Sequence, residues 1–523
     1  MDIRQSLSPL DLIVIIAYIV ILLGLGFGIS YRRRQNSDLF LAGRNLTWPN
    51  IGLSIFGTNI SPSMMLAACS VAYTSGMVAA NFEWLAWFFL MLLAMLFIPL
   101  YLKTRISTMP EFVERRFGRT SRTFLSWYAL FTTVVLWLGG TLYAGGLLLS
   151  QISGWPLWVC LVFLASIAAS FTITGGLEAV VITDSFQSIL MIVASTALTL
   201  LAFLKIGSLD RLVQEIPADY WRLFRNADDP TFPWPAIVLG YPVLGVWFWC
   251  TDQTIVQRVL GAKDIRHGQM GALFAGFLKI LPPLIFFMPG ILAAVLYPNL
   301  TDPDTAYMTL VTGLLPSGMI GLIVAVLIAA LVSTLDSALN SFSTVFTLDI
   351  YVTKFRRQAS QREIVWVGRL MTAATALLAV AIALSMQSVG RDLFNLMQGI
   401  IAFFAPPMAA VFLVGVLWKR ATSRAALSTL IIGSTISLAI GYCQLTNYPN
   451  NHFWPHYLLL SFYLFSASVI WMIAVSLLDH SRQKTEPLPT SREIYSDNIS
   501  SRNVWIAWGA LAVIMAGLYV FFN

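Results

Sequence analysis

The chain has 523 residues, of which 58% are hydrophobic and only 11% charged, with a mean hydropathy of +0.76. An average soluble domain carries about 25% charged residues, so a soluble enzyme or binding module is excluded. The net charge of +7 is sorted by loop rather than gathered into a patch, which leaves a nucleic-acid partner without support.

Windows of roughly 20 apolar residues suffice to cross a bilayer. Fourteen are found, centred near residues 20, 62, 93, 136, 165, 191, 246, 282, 330, 375, 404, 433, 466 and 512. The first follows a stretch whose only basic residue is Arg4 and runs into Tyr31-Arg-Arg-Arg. It has neither the basic n-region nor the small-residue cleavage site of a signal peptide, so it reads as a retained helix. Placing Arg32, Arg33 and Arg34 in the cytoplasm puts the N-terminus outside. Alternating from there, 25 of the 32 Lys and Arg residues, Arg116, Arg122 and Arg258 among them, fall in inner loops. That asymmetry supports the count of fourteen and an integral, multi-pass membrane protein. The lack of a plant or animal targeting signal favours a bacterial inner membrane.

The second span is interrupted by Gly57-Thr-Asn-Ile-Ser-Pro-Ser, and in the seventh Gly240-Tyr-Pro-Val-Leu-Gly precedes Trp247-Phe-Trp-Cys-Thr-Asp-Gln. Broken helices at matching positions of two halves point to a transporter's binding site; proline kinks relieved by neighbouring helices are the ordinary alternative. The two interruptions lie five helices apart, as in a five-plus-five inverted repeat. The expected organisation is one membrane transport domain: an N-terminal accessory helix and loop (1–49), a first repeat (50–204), an outer loop of mixed charge (205–233), a second repeat (234–418) and C-terminal accessory helices (419–523). A polar linker with Pro487 and Pro489 isolates the last helix, Val504 to Phe522.

Within the eighth span stands Lys279. An ionisable group at membrane depth reads as functional by default. Glu83, at the outer start of the third span, offers it a partner or accepts hydrogen bonds from a polyol. Gln398, in the eleventh, is donor and acceptor at once, which suits a neutral hydroxyl-rich solute. Trp247, Phe248 and Trp249 offer ring faces for stacking, although lipid-facing or packing bulk explains them as readily. In the ninth span, Ser333, Asp336, Ser337 and Asn340 stand at i, i+3, i+4 and i+7, on one helix face. Hydroxyl and carboxylate oxygens are ligands for a hard cation, and carbonyls freed at a broken helix complete such a shell; sodium is the natural candidate. Serine hydroxyls bonding back to their own helix would leave Asp336 unexplained. Cys69, Cys160, Cys250 and Cys443 read as small core residues, and His267, His452, His456 and His480 as helix-end or loop residues. No nucleophile or metal cluster supports an enzyme.

Several longer motifs now carry a resemblance. Thr108-Met-Pro-Glu-Phe-Val-Glu-Arg-Arg-Phe-Gly, the run Thr172-Ile-Thr-Gly-Gly-Leu-Glu-Ala through Asp184-Ser-Phe-Gln, Trp247 through Lys263, Asn340 through Tyr351 and Ala405-Pro-Pro-Met through Lys419-Arg make the chain similar to the sodium/solute symporter family, and to its sodium/glucose cotransporter branch. The resemblance implies alternating access and solute import driven by sodium. It places a main sodium site at the carbonyls of Gly57, Ile60 and Ala330 and the hydroxyls of Ser333 and Thr334. It makes Asp184, with Ser337 and Asp336, a second sodium site or an exit step. It assigns the sugar to Glu83, Lys279 and Gln398, and the aromatic reading sets Trp249 beside them. Three positions depart from sugar-transporting relatives: Met64 replaces a polar Gln or His, Gly245 an Asn or Thr, and Phe248 the inner-gate tyrosine. The expected solute is a monosaccharide such as glucose or galactose, with myo-inositol, another small solute, or a non-transporting sugar sensor as alternatives.

Overall fold

The computed structural model describes residues 7–32, 39–229, 231–386, 393–450, 453–479 and 501–522. Arg33, Arg34, Arg391, His452, His480 and the linker around Pro487 and Pro489 lie outside them. Among the described residues every extended element is a helix, and strand-like pairing is confined to two isolated bridges. The helices that build the site are α1 (Trp48–Asn59), α2 (Pro62–Ser75), α3 (Asn81–Trp84), α4 (Leu157–Ile206), α5 (Gln253–Leu260), α6 (Ile265–Leu278), α7 (Met319–Val345), α8 (Tyr457–Leu478) and α9 (Arg502–Phe521).

Eleven helices are long and apolar enough to span a membrane, against the fourteen windows read from sequence. The difference has physical causes. The second and third windows run together in Pro62–Lys103, and the fifth and sixth in Leu157–Ile206, while Ala236–Thr251 is too short to count. Each merged rod turns at a glycine. At Gly176 (φ 58°) a Cβ would lie 2.2 Å from the Leu39 carbonyl oxygen, which accepts the Leu177 N–H at 3.0 Å. At Gly76 (φ 73°) a Cβ would lie 2.3 Å from the Tyr220 carbonyl oxygen. Both turns need a residue with no side chain. Loop 205–233 is laid over the second of them: the Tyr220 hydroxyl donates to the Thr74 carbonyl at 2.9 Å and Arg225 to the Ser75 carbonyl at 2.6 Å.

Helix α7 is the axis of the molecule. Its sequence is apolar on all faces apart from the Ser/Thr/Asp cluster, and nearly every residue is buried, as expected of a helix surrounded by other helices. The terminal α9 is the opposite case, with most of its surface facing outward.

Candidate functional site

The site grows from the interruption between α1 and α2. Pro62 has no N–H, so the Thr58 carbonyl loses its helical donor. Ile60 (φ −87°, ψ 107°) and Ser61 (φ −103°, ψ 161°) are extended, and the Ser61 hydroxyl caps α2 by accepting the Met64 N–H at 3.2 Å. The orphaned Thr58 carbonyl is taken by the Thr334 hydroxyl of α7 at 3.2 Å, which also reaches the Ala330 carbonyl at 3.1 Å. Gly57 is the point of closest approach, since a Cβ there would lie 2.5 Å from Ser188 Oγ and 3.1 Å from Ser333 Oγ. Gly57 is thus brought against Ser333, and Thr334 against the Thr58 and Ala330 carbonyls, with the extended Ile60 at the break between α1 and α2. This donor set suits a hard monovalent cation. Among the described residues no group of three or more His, Cys, Asp or Glu exists for a transition metal.

The second interruption falls later than the sequence suggested. Tyr241 and Pro242 sit in continuous helix, because the π turn Ala236–Gly240 shifts the hydrogen-bond register ahead of the proline. The chain breaks instead at Asp252 (φ −69°, ψ 130°), whose side chain caps α5 by accepting the Thr254 N–H at 2.8 Å.

One helical turn along α7 from Ser333 is a buried charge network. Asp184 accepts from Ser54 at 2.6 Å, from Thr58 at 3.4 Å and from Ser333. Its counter-ion is Arg258, 3.5 Å away, and both side chains are 0% exposed. Arg258 also donates to Ser337 and to the Thr254 carbonyl. Ser337 shares a hydrogen bond with Thr58 at 3.0 Å and donates to Asp336 at 3.3 Å. Asp184, Asp336 and Ser337 are therefore together, as expected. Arg258 is not the inner-loop residue that the charge pattern suggested. It is buried in α5 because two carboxylates in the core need a cation beside them.

Glu83 and Lys279 meet in a buried ion pair, in which Lys279 also donates to the Asn59 side-chain oxygen. The ammonium lies 5.0 Å from the Trp249 ring centroid and 5.9 Å from that of Phe56, within cation–π range. Beside this pair is a cavity of about 190 Å³. Asn59, Met64, Glu83, Gly245, Phe248, Trp249, Thr334 and Gln398 line it, and it reaches Phe232 of loop 205–233 and Tyr457 of α8. Lys279 is not among its lining residues and stands behind Glu83. Gly245 is packed on the Phe89 ring, where a Cβ would meet Cε2 at 2.3 Å. Phe248 lies between Trp137 (5.3 Å) and Trp249 (4.6 Å). Asn59, Trp137, Thr141 and Tyr241 also line the cavity and were not singled out from sequence. Asn59 and Tyr241, each inside one of the two interrupted motifs, were the ones with a signal.

The sequence profile described as "Sodium:solute symporter family" matches residues 39–433. The chain is 33% identical to sodium/glucose cotransporter 1 of Sus scrofa, over 92% of this chain and 79% of that protein. It is 32% identical to the sodium/myo-inositol cotransporter of Canis lupus familiaris, over 95% and 76%. Its fold is that of a solved Na+-coupled sialic acid symporter in a substrate-bound outward-open state, with a TM-score of 0.80, 22% identity, and coverage of 92% of this chain and all of that one.

Proposed function

The chain belongs to the sodium:solute symporter family, and from that premise we propose that it imports a small neutral polyhydroxylated solute, a monosaccharide such as glucose or galactose, together with sodium. One observation carries the coupling: Asn59 and Thr334 line the solute cavity while belonging to the helices that frame the oxygen-rich gap at Gly57, Ile60, Ala330 and Ser333. An ion in that gap fixes α1 against α7 and so shapes the wall the solute meets. Because each ligand favours one arrangement, each raises affinity for the other. Glu83 and Gln398 hydrogen-bond the solute, Lys279 holds Glu83 in place, and Phe248 and Trp249 cover a ring face. Met64 and Gly245 supply contact without a hydrogen bond. Asp184, Asp336 and Ser337, with Arg258, form the second cation position or the exit step.

The protein is an integral multi-pass membrane protein. We assign it an external N-terminus, fourteen crossings, and repeats at 50–204 and 234–418. The relatives named above are animal proteins, so a bacterial inner membrane rests on the sequence alone.

The test is uptake of labelled glucose, galactose and myo-inositol into proteoliposomes, with and without an inward sodium gradient. Concentrative, sodium-dependent uptake of glucose or galactose is expected. Ser333→Ala should weaken the sodium dependence and Gln398→Ala the uptake itself. Accumulation of myo-inositol alone would move the substrate to cyclitols, and sodium-stimulated binding without accumulation would make the protein a sensor.

A further inference from the structure

Helix α9 lies beyond residues 39–433, the part of the chain that the family profile matches. Its sequence looks like a lipid-facing anchor, and Val513, Val520 and Phe521 are 73%, 81% and 80% exposed. Its other face behaves differently. Val504, Leu511 and Met515 are fully buried, and Leu511 closes on α6 so tightly that a Cβ at Gly276 would lie 2.6 Å from its Cδ2. Gly276 is one turn before Lys279.

The outer end of α9 reaches the other half of the ion pair. The Tyr519 hydroxyl donates to the Asn81 side-chain oxygen at 3.1 Å, and the rings of Tyr519 and Phe522 lie 6.1 and 5.3 Å from that of Trp84. Asn81 and Trp84 flank Glu83 on α3. The Trp84 indole N–H donates to the Ile280 carbonyl at 3.2 Å, which ties α3 to the residue after Lys279. Asn81 also donates to the Leu223 carbonyl at 2.5 Å, and the Leu223 N–H donates to the Phe522 carbonyl at 3.3 Å. On either side of the Glu83–Lys279 pair a contact to α9, or to a residue it holds, is therefore among the supports, next to the Tyr241 hydroxyl that donates to the Phe82 carbonyl at 2.5 Å.

We infer that α9 is a positioning element of the solute site: through Tyr519, Phe522 and Leu511 it fixes the backbone on both sides of Glu83 and Lys279. The inference rests on the proposed reading that Glu83 contacts the solute. A polar group keeps one useful geometry only when its neighbours are locked, and small displacements weaken every contact it makes. A helix that only anchored the chain would influence how much protein folds. A positioning helix influences how well the folded protein holds solute.

The experiment is sodium-driven uptake by the full chain carrying Tyr519→Ala, Tyr519→Phe or, as a control on the same helix, Val513→Ala. Tyr519→Ala should raise the solute half-saturation constant about fivefold, with sodium half-saturation and maximal rate per folded molecule changed less than about twofold. Tyr519→Phe, which keeps the ring, should recover part of the loss, and Val513→Ala should change nothing. In a Glu83→Asp background, which keeps the charge pair, Tyr519→Ala should add little, because coupled residues are not additive. A loss confined to the amount of folded protein, an equal rise in the solute and sodium constants, or full additivity with Glu83→Asp would overturn the inference. Normal solute affinity of Glu83→Asp alone would instead remove Glu83 from the site, and the inference with it.

Discussion

Arg258 shows how a single residue closes a charge balance that its surroundings impose. Asp184 and Asp336 both sit in apolar helices at 0% exposure, and water cannot solvate them there. The guanidinium supplies one positive charge and donors that reach Asp184, Ser337 and the Thr254 carbonyl at once. Truncating one partner of a buried pair leaves the other uncompensated, at a cost of about 3–5 kcal/mol. Arg258→Met should therefore lower unfolding stability in detergent by roughly that amount, and adding Asp184→Asn should return more than half of it. Strict additivity of the two changes would mean that they do not act as a pair. The sequence led to a cation beside Asp336, read there as sodium, and Asp184 was placed with it only by the family resemblance. Arg258 as the partner was not legible. The short α5 reads Gln-Thr-Ile-Val-Gln-Arg-Val-Leu, half apolar and half polar, and only the tertiary fold brings all of it under α1 and α7. Lys279 was legible for a simpler reason, as a charge inside a span that otherwise excludes such groups; Ser333 was legible from the polar face it shares with Asp336, Ser337 and Asn340, Glu83 as a carboxylate at the start of a span, and Thr334 only through the family resemblance.

Helices were legible where composition alone decides them and less so where they break. The interruption after Asn59 was readable because Pro62 removes a donor within a run of small polar residues that can recapture the freed groups. The one at Asp252 was not, since Pro242 looked the stronger breaker and a π turn absorbed it. The ends of helices also carry function that periodicity does not reveal. At the start of α8, the ring of His456 accepts the Leu458 N–H at 3.3 Å through Nδ1, and the next residue, Tyr457, lines the cavity. Burial pushes the imidazole below its usual 6.5, against the opposing pull of the Thr231 backbone and Asp229. The fold therefore favours the neutral ring. Its capping contribution is complete above 6.5 and is lost as pH falls through the lowered folded-state value, when protonation removes the acceptor. A lost cap is worth about 1 kcal/mol, or roughly fivefold in a local equilibrium. Uptake at fixed voltage and sodium gradient should decline as the outer pH is lowered from 7.5 towards 5. His456→Asn, which caps without titrating, should flatten that decline. An unchanged pH profile in His456→Asn would assign the titration to another group.

At the scale of the whole molecule, the broken α1–α2 rod and the buried α7 form one unit whose contact surface is the proposed ion site, with the solute cavity immediately beside it. Sodium can shift the balance between outward-open and inward-open arrangements only by the difference in its affinity for the two. If the outward-open population rises from about a tenth to nearly all when sodium binds, the access of outside reagents to the cavity rises about tenfold. Met64 is the position to watch, because it lines the cavity just past the break and, with only a thioether to offer, is replaced by cysteine at little loss of hydrogen bonding. Cys69, Cys160 and Cys250 are buried, so Cys443→Ser gives a quiet background. In that background Met64→Cys should react with a membrane-impermeant thiol reagent about tenfold faster in sodium than in choline, and the transported sugar should slow the reaction again by occupying and occluding the cavity. Ser333→Ala should lose the sodium effect while keeping the slow basal rate, since it removes a ligand without closing the path. A labelling rate indifferent to sodium in the unaltered site would mean that the ion does not control the outer opening. Coupling would then have to act on the inner side, through the Asp184–Arg258 network rather than through the gap between α1 and α7.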